Sequence, residues 1–315
     1  MAKRKQWVVG AVLAVVALSV LLILFRPGAH RADGPSAGNT VAVVRLEGLI
    51  ADAGASGGLL GGESGSGQVI ETLRRLQEDK QIKAVVLRIN SPGGTSAASQ
   101  EIGREVDRLR ESGKVVVASM GDVAASGGYW VAARADKIVA NPATTTGSIG
   151  VILDLANLTE LYQKIGYRPN VIKSGPYKDI ASSARDMTPE EREILQGMVN
   201  DIYQQFIDVV AEGRHMPHER VRALADGRVF TGRQAKELGL VDELGNFYDA
   251  VALAGTMAGI SGEPDIREYG RGSALDRLLS GMSSRWSGSS LSGQTLSPEE
   301  WSRLLDLLKQ KNPLP

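Results

Sequence analysis

The stretch IKAVVLRINSPGGTSAASQEIGREVDRLRESGKVVVASMGDVAASGGYW, residues 82–130, decides the fold. Its opening, Ile82 to Ile89, is an apolar run rich in β-branched side chains, and a Pro-Gly-Gly loop closes it, so it reads as a strand. Residues 97–110 then place Ile102, Val106 and Leu109 on one helical face, and Val115 to Met120 forms a second apolar strand. Two such strands joined by a short helical return are parallel, with a right-handed crossover. The fold class that follows is α/β.

Upstream, Val41, Val43, Val44 and Leu46 make another β-branched run, and a helix over Gln68 to Asp79 carries Val69, Ile70, Leu73 and Leu76 on one face. Ala53 to Gly67 between them is almost wholly Gly, Ser and Ala, which predicts a surface loop. Downstream, the pattern predicts a helix around Gly128 to Ala135, a strand Lys137 to Ala140, a helix Leu158 to Ile165 and a strand Asn170 to Lys173. Thr188 and Glu191 spell a capping box with Pro189 at the first helical position. They open a long helix to about Glu212, with Leu195, Met198, Ile202 and Phe206 on one face. Helices near Gly232 to Leu238 and over Phe247 to Met257 follow.

The chain has 315 residues, with 36 Lys plus Arg against 36 Asp plus Glu and no Cys. The charge balance gives no field to steer the chain to nucleic acid. The absence of Cys excludes disulfides, thiolate metal sites and a cysteine nucleophile. Trp7 to Phe25 is apolar except for Gly10 and Ser19, long enough as a helix for about one bilayer core. Phe25-Arg26-Pro27 follows it instead of a small-x-small cleavage site, so the expectation is an uncleaved single-span anchor over residues 7–25. Lys3, Arg4 and Lys5 predict that residues 1–6 stay in the cytoplasm and that the chain beyond the membrane lies outside it. Residues 26–39 read as a linker and 40–270 as the folded domain. Residues 271–315 read as a Gly/Ser-rich tail ending in an amphipathic segment with Trp301, Leu304, Leu305, Leu307 and Leu308.

Three loops put small residues at predicted strand ends, where α/β sheets usually place ligands. They are Asn90 to Gly94, Ala124 to Gly128 and Thr146 to Gly150. In the second, Ser126 precedes two glycines at the mouth of a helix, so backbone N–H groups can reach a developing oxyanion beside a hydroxyl nucleophile. The chain holds three histidines, His30, His215 and His218, and none falls near these loops. Pro217 breaks the helix between the last two, and no third metal ligand is evident. A lysine held neutral by burial is the remaining activator for a serine. Lys173 and Lys178 flank the turn Ser174 to Tyr177, and spacing does not separate them.

The order Ser-Pro-Gly-Gly, Met-Gly-x-x-Ala-Ala-Ser-Gly-Gly-Tyr, Thr-Gly-Ser-Ile-Gly-Val and Lys-Ser-Gly-x-x-Lys-Asp resembles the bacterial signal peptide peptidase A family, short form. Asp226 to Ala235 and Gly239 to Gly245 extend the resemblance, which covers about Thr40 to Met257. It implies a membrane-anchored serine endopeptidase on a ClpP/crotonase-like repeated β-β-α spiral, with a parallel sheet and a helical C-terminal part. It also implies a Ser/Lys dyad of Ser126 (nucleophile) and Lys178 (general base), with Lys173 structural. Ser148 would orient the lysine amine, and the N–H groups of Gly93 and Gly127 would form the oxyanion hole.

The chemistry so implied runs through an acyl-enzyme and needs no metal or organic cofactor. The implied substrates are remnant signal peptides cut within their apolar segments. The implied assembly is a homo-oligomeric ring in which neighbours complete the site, at the cytoplasmic membrane on its outer side. The crotonase-like hydratases share only the architecture and call for an acidic catalytic residue where this chain has Ser and Gly. A non-catalytic membrane scaffold would not need Ser126, Ser148 and Lys178 together. The stomatin-associated membrane Ser/Lys proteases are the nearest rival, and the Asp-Gly-Arg-Val block favours the first family.

Overall fold

Three long parallel strands, β1 (Thr40–Ile50), β2 (Ile82–Gly94) and β3 (Val115–Ala125), form the centre of a computed structural model that describes residues 39–52 and 66–270. The returns between them are α1 (Ser66–Glu78) and α2 (Ser96–Glu111). Successive strand residues point to opposite faces, and here both faces are covered. Val44, Leu46, Leu87, Ile89 and Met120 pack with Leu73 and Leu76 of α1 and Ile102, Val106 and Leu109 of α2. Val41, Val43, Val86 and Val117 pack with Ala250, Val251 and Ala254 of the last helix, Phe247–Met257. Burial on both sides is why these strands read as unbroken apolar runs, not as alternating ones.

The sheet forks at β3. β4 (Lys137–Ala140) pairs its first half, Val117–Met120, and β5 (Thr145–Gly147) pairs its second half, Val123–Ala125. Two hydroxyls fix the fork: Thr144 donates to the Gly121 carbonyl and Thr146 to the Ala124 carbonyl, each at 2.7 Å. β6 (Val229–Thr231) lies antiparallel on β5, β7 (Glu243–Leu244) parallel on β4, and β8 (Asp265–Tyr269) parallel on β1. The sheet is thus mixed but dominated by parallel pairs, with the order β6-β5-β3-β2-β1-β8 along its main path.

The helices are α3 (Gly127–Ala132), α4 (Thr159–Lys164), α5 (Pro189–Arg214), α6 (His218–Leu224), α7 (Gly232–Glu237) and α8 (Phe247–Met257). The capping box of α5 forms as its sequence predicts: the Glu191 N–H donates to Thr188 Oγ1 at 3.2 Å, and the Thr188 N–H donates to Glu191 Oε2 at 3.0 Å. Every residue of α3 is buried. Its Tyr129 hydroxyl donates to the Leu240 carbonyl at 2.8 Å, and burial pushes the phenol pKa up. Tyr129→Phe keeps the ring and strands that carbonyl, so stability should fall by about 1–2 kcal/mol. The check is a lower urea midpoint with an unchanged slope; an unchanged midpoint would deny the bond any net contribution.

Several elements differ from the sequence expectation. The strand predicted over Asn170 to Lys173 does not form. Val171 and Ile172 supply β propensity, but no strand lies beside them, and Ile172 is 95% exposed; propensity without a ladder partner does not make a strand. Ser66 and Gly67, read as the end of a loop, begin α1 instead, with the Ser66 hydroxyl donating to the Ala51 carbonyl at 2.9 Å. α3 ends at Ala132, earlier than the predicted Ala135. β5, β6, β7, β8 and α6 are additions. The anchor over 7–25, the linker short of Asn39, the loop 53–65 and the tail 271–315 lie outside the described residues. Among the described residues no helix is long and apolar enough to cross a membrane.

Candidate active site

Ser126 sits one residue past the end of β3 and caps α3, with φ 52° and ψ −123°. That backbone region is open to glycine and costs other residues roughly 1–3 kcal/mol. The surroundings hold it there: the Ser126 N–H donates to the Gly147 carbonyl at 2.9 Å, and its own carbonyl accepts from the Trp130 N–H at 2.9 Å. The side chain makes no capping hydrogen bond. A strained strand-to-helix turn of this kind lifts a hydroxyl clear of the sheet.

Ser148 stands in the same relation to the neighbouring strand. It is one residue past β5, with φ 50°, and β5 is in register with β3 so that Ala125 pairs with Gly147. Adjacent parallel strands lie roughly 4.8 Å apart, so the two serines emerge side by side at one sheet edge. The Ser148 N–H donates to the Arg228 carbonyl at 2.8 Å, which brings the Asp226 to Arg228 turn against the same edge.

The remaining predicted loop, Asn90 to Gly94, is instead the end of β2, and it closes on them. Gly93 has φ 102°, and a methyl group built on it would stand 2.7 Å from the Gly127 nitrogen and 2.8 Å from Ser126 Cβ. Only glycine lets the end of β2 approach the start of α3 so closely. The Gly127 N–H belongs to the first turn of α3, where backbone donors have no partner within the helix and face positive dipole outward. The Gly93 N–H donates to Ser91 Oγ at 3.1 Å. Ser91 is fully buried, and sequence reasoning did not single it out. Its signal was available as a hydroxyl two residues ahead of a predicted oxyanion donor.

The two candidate lysines occupy different environments. Lys173 Nζ donates to Asp179 Oδ1 at 2.6 Å and to the Pro176 carbonyl at 2.9 Å. An ammonium held by a carboxylate cannot take a proton. Lys178 is exposed, in a turn where its N–H donates to the Gly175 carbonyl at 3.3 Å. The described residues do not supply the dry pocket expected around the general base. The physical reason is that no residue from Gly150 to Glu190 is buried, so nothing there can strip water from an amine. Ile152, Leu161, Ile165, Tyr167 and Ile172 are each at least half exposed. A groove of about 340 Å³ with mixed polar and apolar walls, between Val151, Leu153, Leu155, Arg192, Leu195 and Gln196, opens beside the Ser148 loop.

His215 caps the C-terminus of α5 in the left-handed conformation, and the exposed His218 stands 3.2 Å from Asp208. Among the described residues neither is hydrogen-bonded to the serines' loops. Missed altogether was an ionic cluster beside Lys178, in which Arg185 joins Asp179 to Glu191. Hydrogen bonds from Arg185 and then Lys173 hold the Asp179 carboxyl far below its usual range. Arg185, followed by the Thr188 N–H, brings Glu191 down to about 2.

Comparison with known proteins follows the same residues. The model of Peptidase family S49 matches residues 108–261. A Synechocystis sp. protein named as a candidate protease is 49% identical over 202 residues, 64% of this chain and 72% of that protein. A protein of Enterococcus faecium named as a candidate signal peptide peptidase SppA is 40% identical over 206 residues, 65% of this chain and 60% of that protein. The chloroplastic serine protease SPPA of Arabidopsis thaliana is 41% identical over 221 residues, 69% of this chain and 32% of that protein.

Proposed function

The chain belongs to peptidase family S49 and is a serine peptidase, and from that premise we propose that it is a membrane-anchored endopeptidase working by a Ser126/Lys178 dyad on remnant signal peptides. The observation that carries the reading is the convergence of the Ser126, Ser148 and Gly93 loops at one sheet edge. Ser126 Oγ attacks the peptide carbonyl while the neutral Lys178 amine takes the hydroxyl proton. Ser148 Oγ accepts a hydrogen bond from that amine and aims it. The developing oxyanion is held by the Gly127 N–H and by the Gly93 N–H, which turns from Ser91 Oγ to the substrate. Lys178 then protonates the leaving amine, and later activates the water that hydrolyses the ester.

Support for Lys178 over Lys173 comes from the Lys173–Asp179 ion pair at 2.6 Å. An exposed Lys178 and an unburied apolar segment support a ring of copies in which a neighbour covers residues 150–190 and completes the site. A ClpP/crotonase-like spiral is the finer reading of the parallel-dominated sheet. The apolar run 7–25 would hold the site beside peptides left in the bilayer, on the outer side of the cytoplasmic membrane. The groove beside Ser148 offers Val151, Leu153, Leu155 and Leu195 to the apolar side chains of such substrates.

The test uses the full chain in mild detergent with an apolar signal-like peptide. Ser126→Ala and Lys178→Ala are assayed alone and after subunit exchange in equal amounts. Each alone should be inactive. If Lys178 serves the neighbour's serine, random mixing in a ring restores about a quarter of the sites. No recovery on mixing would place both groups in one subunit, and an active Lys178→Ala would remove the dyad.

A further inference from the structure

We propose that Arg185, acting through Asp179, is a positioning residue for Lys178: its guanidinium fastens the turn carrying the general base to Glu191, the buried residue in the first turn of α5. The inference rests on the Lys178 reading above and adds what holds that lysine in place.

The segment that carries Lys178 has no fully buried apolar anchor. From Gly150 onward the first buried residue is Glu191, 2% exposed. What fixes the turn is therefore polar. Arg185 Nε and Nη2 grip the two Asp179 carboxylate oxygens at 3.0 and 2.9 Å, in the planar fork geometry that guanidinium and carboxylate share. Its Nη1 donates to Glu191 Oε2 at 2.8 Å and to the Asp186 carbonyl at 3.0 Å, and Nη2 also reaches Glu191 Oε1. A guanidinium has five N–H donors, and these contacts use all of them.

Each end of the bridge is itself braced. Glu191 is locked by the reciprocal capping box with Thr188, at the head of a helix whose Phe206, Ile207 and Val210 lie in the core. Asp179 is braced on its other side by Lys173, and the main chain around it is folded into consecutive turns: Ile180 N–H to the Tyr177 carbonyl at 3.1 Å, Ser182 N–H to the Asp179 carbonyl at 3.1 Å. Lys178 precedes Asp179 directly, so gripping the carboxylate fixes the Cα from which the amine reaches. The other charged group close by, the Asp186 carboxylate, is occupied by the Asn157 amide at 2.8 Å.

The charges also set the sign of the test. Removing Arg185 leaves the Asp179 carboxylate less neutralised beside Lys178, which favours the ammonium; removing the Asp179 charge favours the neutral amine. The experiment measures kcat/KM against pH for the full chain and for Arg185→Gln, Arg185→Lys, Asp179→Asn and Lys178→Ala, with melting temperature and oligomer size recorded. Arg185→Gln and Asp179→Asn should each lose about 100-fold, mostly in kcat, because a misplaced base costs that much. Their acidic limbs should move in opposite directions, up in pH for Arg185→Gln and down for Asp179→Asn. Arg185→Lys should fall between, with its limb near wild type.

A wild-type rate in Arg185→Gln, with Lys178→Ala inactive, overturns the positioning role and leaves the dyad standing. Loss of rate in step with melting or dissociation, with no movement of the limbs, overturns it as well. An active Lys178→Ala removes the dyad and this inference together.

Discussion

Ser126→Ala should lower kcat by on the order of 10⁴-fold or more and leave the fold as it is. The hydroxyl is not part of the scaffold, because Ser126 makes no side-chain capping bond to α3. Alanine suffers the same cost as serine at φ 52°, so the melting temperature should stay within about a degree or two of wild type. Ser126→Gly sharpens the comparison. It removes the hydroxyl and the strain at once, so it should be equally inactive and as stable as wild type or more so. Activity in folded Ser126→Ala would move the nucleophile elsewhere, and a large fall in its stability would show that the hydroxyl supports the turn.

Gly94→Ala should be among the most damaging single methyl groups for stability. Its Cβ would stand 1.8 Å from the Ile50 carbonyl oxygen and 2.6 Å from the carbonyl carbon. Both atoms are backbone, in the last pair of the β1–β2 ladder, and the same oxygen accepts the Thr95 N–H at 2.8 Å. No rotamer change relieves that overlap, so the strands must separate or the loop must move. The expected loss is at least about 3 kcal/mol, a fall of roughly 6 to 12 °C in melting temperature for a domain of this size. Because Gly93 is adjacent, the surviving folded fraction should also be slower. Gly67→Ala is the control, since nothing stands within 4 Å of its added carbon. A mild Gly94→Ala would mean that β1 and β2 are less tightly joined at their ends than their register implies.

The central strands and their helices were legible because burial on both sheet faces leaves long apolar runs and the helices keep a clear apolar stripe. The start of α5 was legible to the residue because Thr188, Pro189 and Glu191 form a local motif whose partners lie within one turn. Strands of two or three residues were not, since β5, β6 and β7 are too short to show a period and exist only through the neighbours they pair with. The error at Asn170 to Lys173 is the converse, a β-branched pair with no neighbour. For the candidate site, the three loops could be found from small residues at strand ends, and their convergence is geometric: the parallel register of β3 and β5 sets Ser126 beside Ser148. Ser91 and the Arg185 bridge were hidden because each works through a partner whose contact no spacing rule announces.

The long stretch without a buried residue between Ile149 and Glu191 has a consequence for how such a protein changes over generations. Interior side chains are answerable to six or more neighbours and drift only together, whereas these face outward and answer to few. Substitutions there can redraw the surface beside the serines without asking the interior to rearrange, provided Lys178 and the ionic bridge survive. The fold thus separates two kinds of constraint: packing restrains the sheet and its strained serine turn, while residues 150–190 are restrained by polar contacts, chiefly the Arg185 bridge.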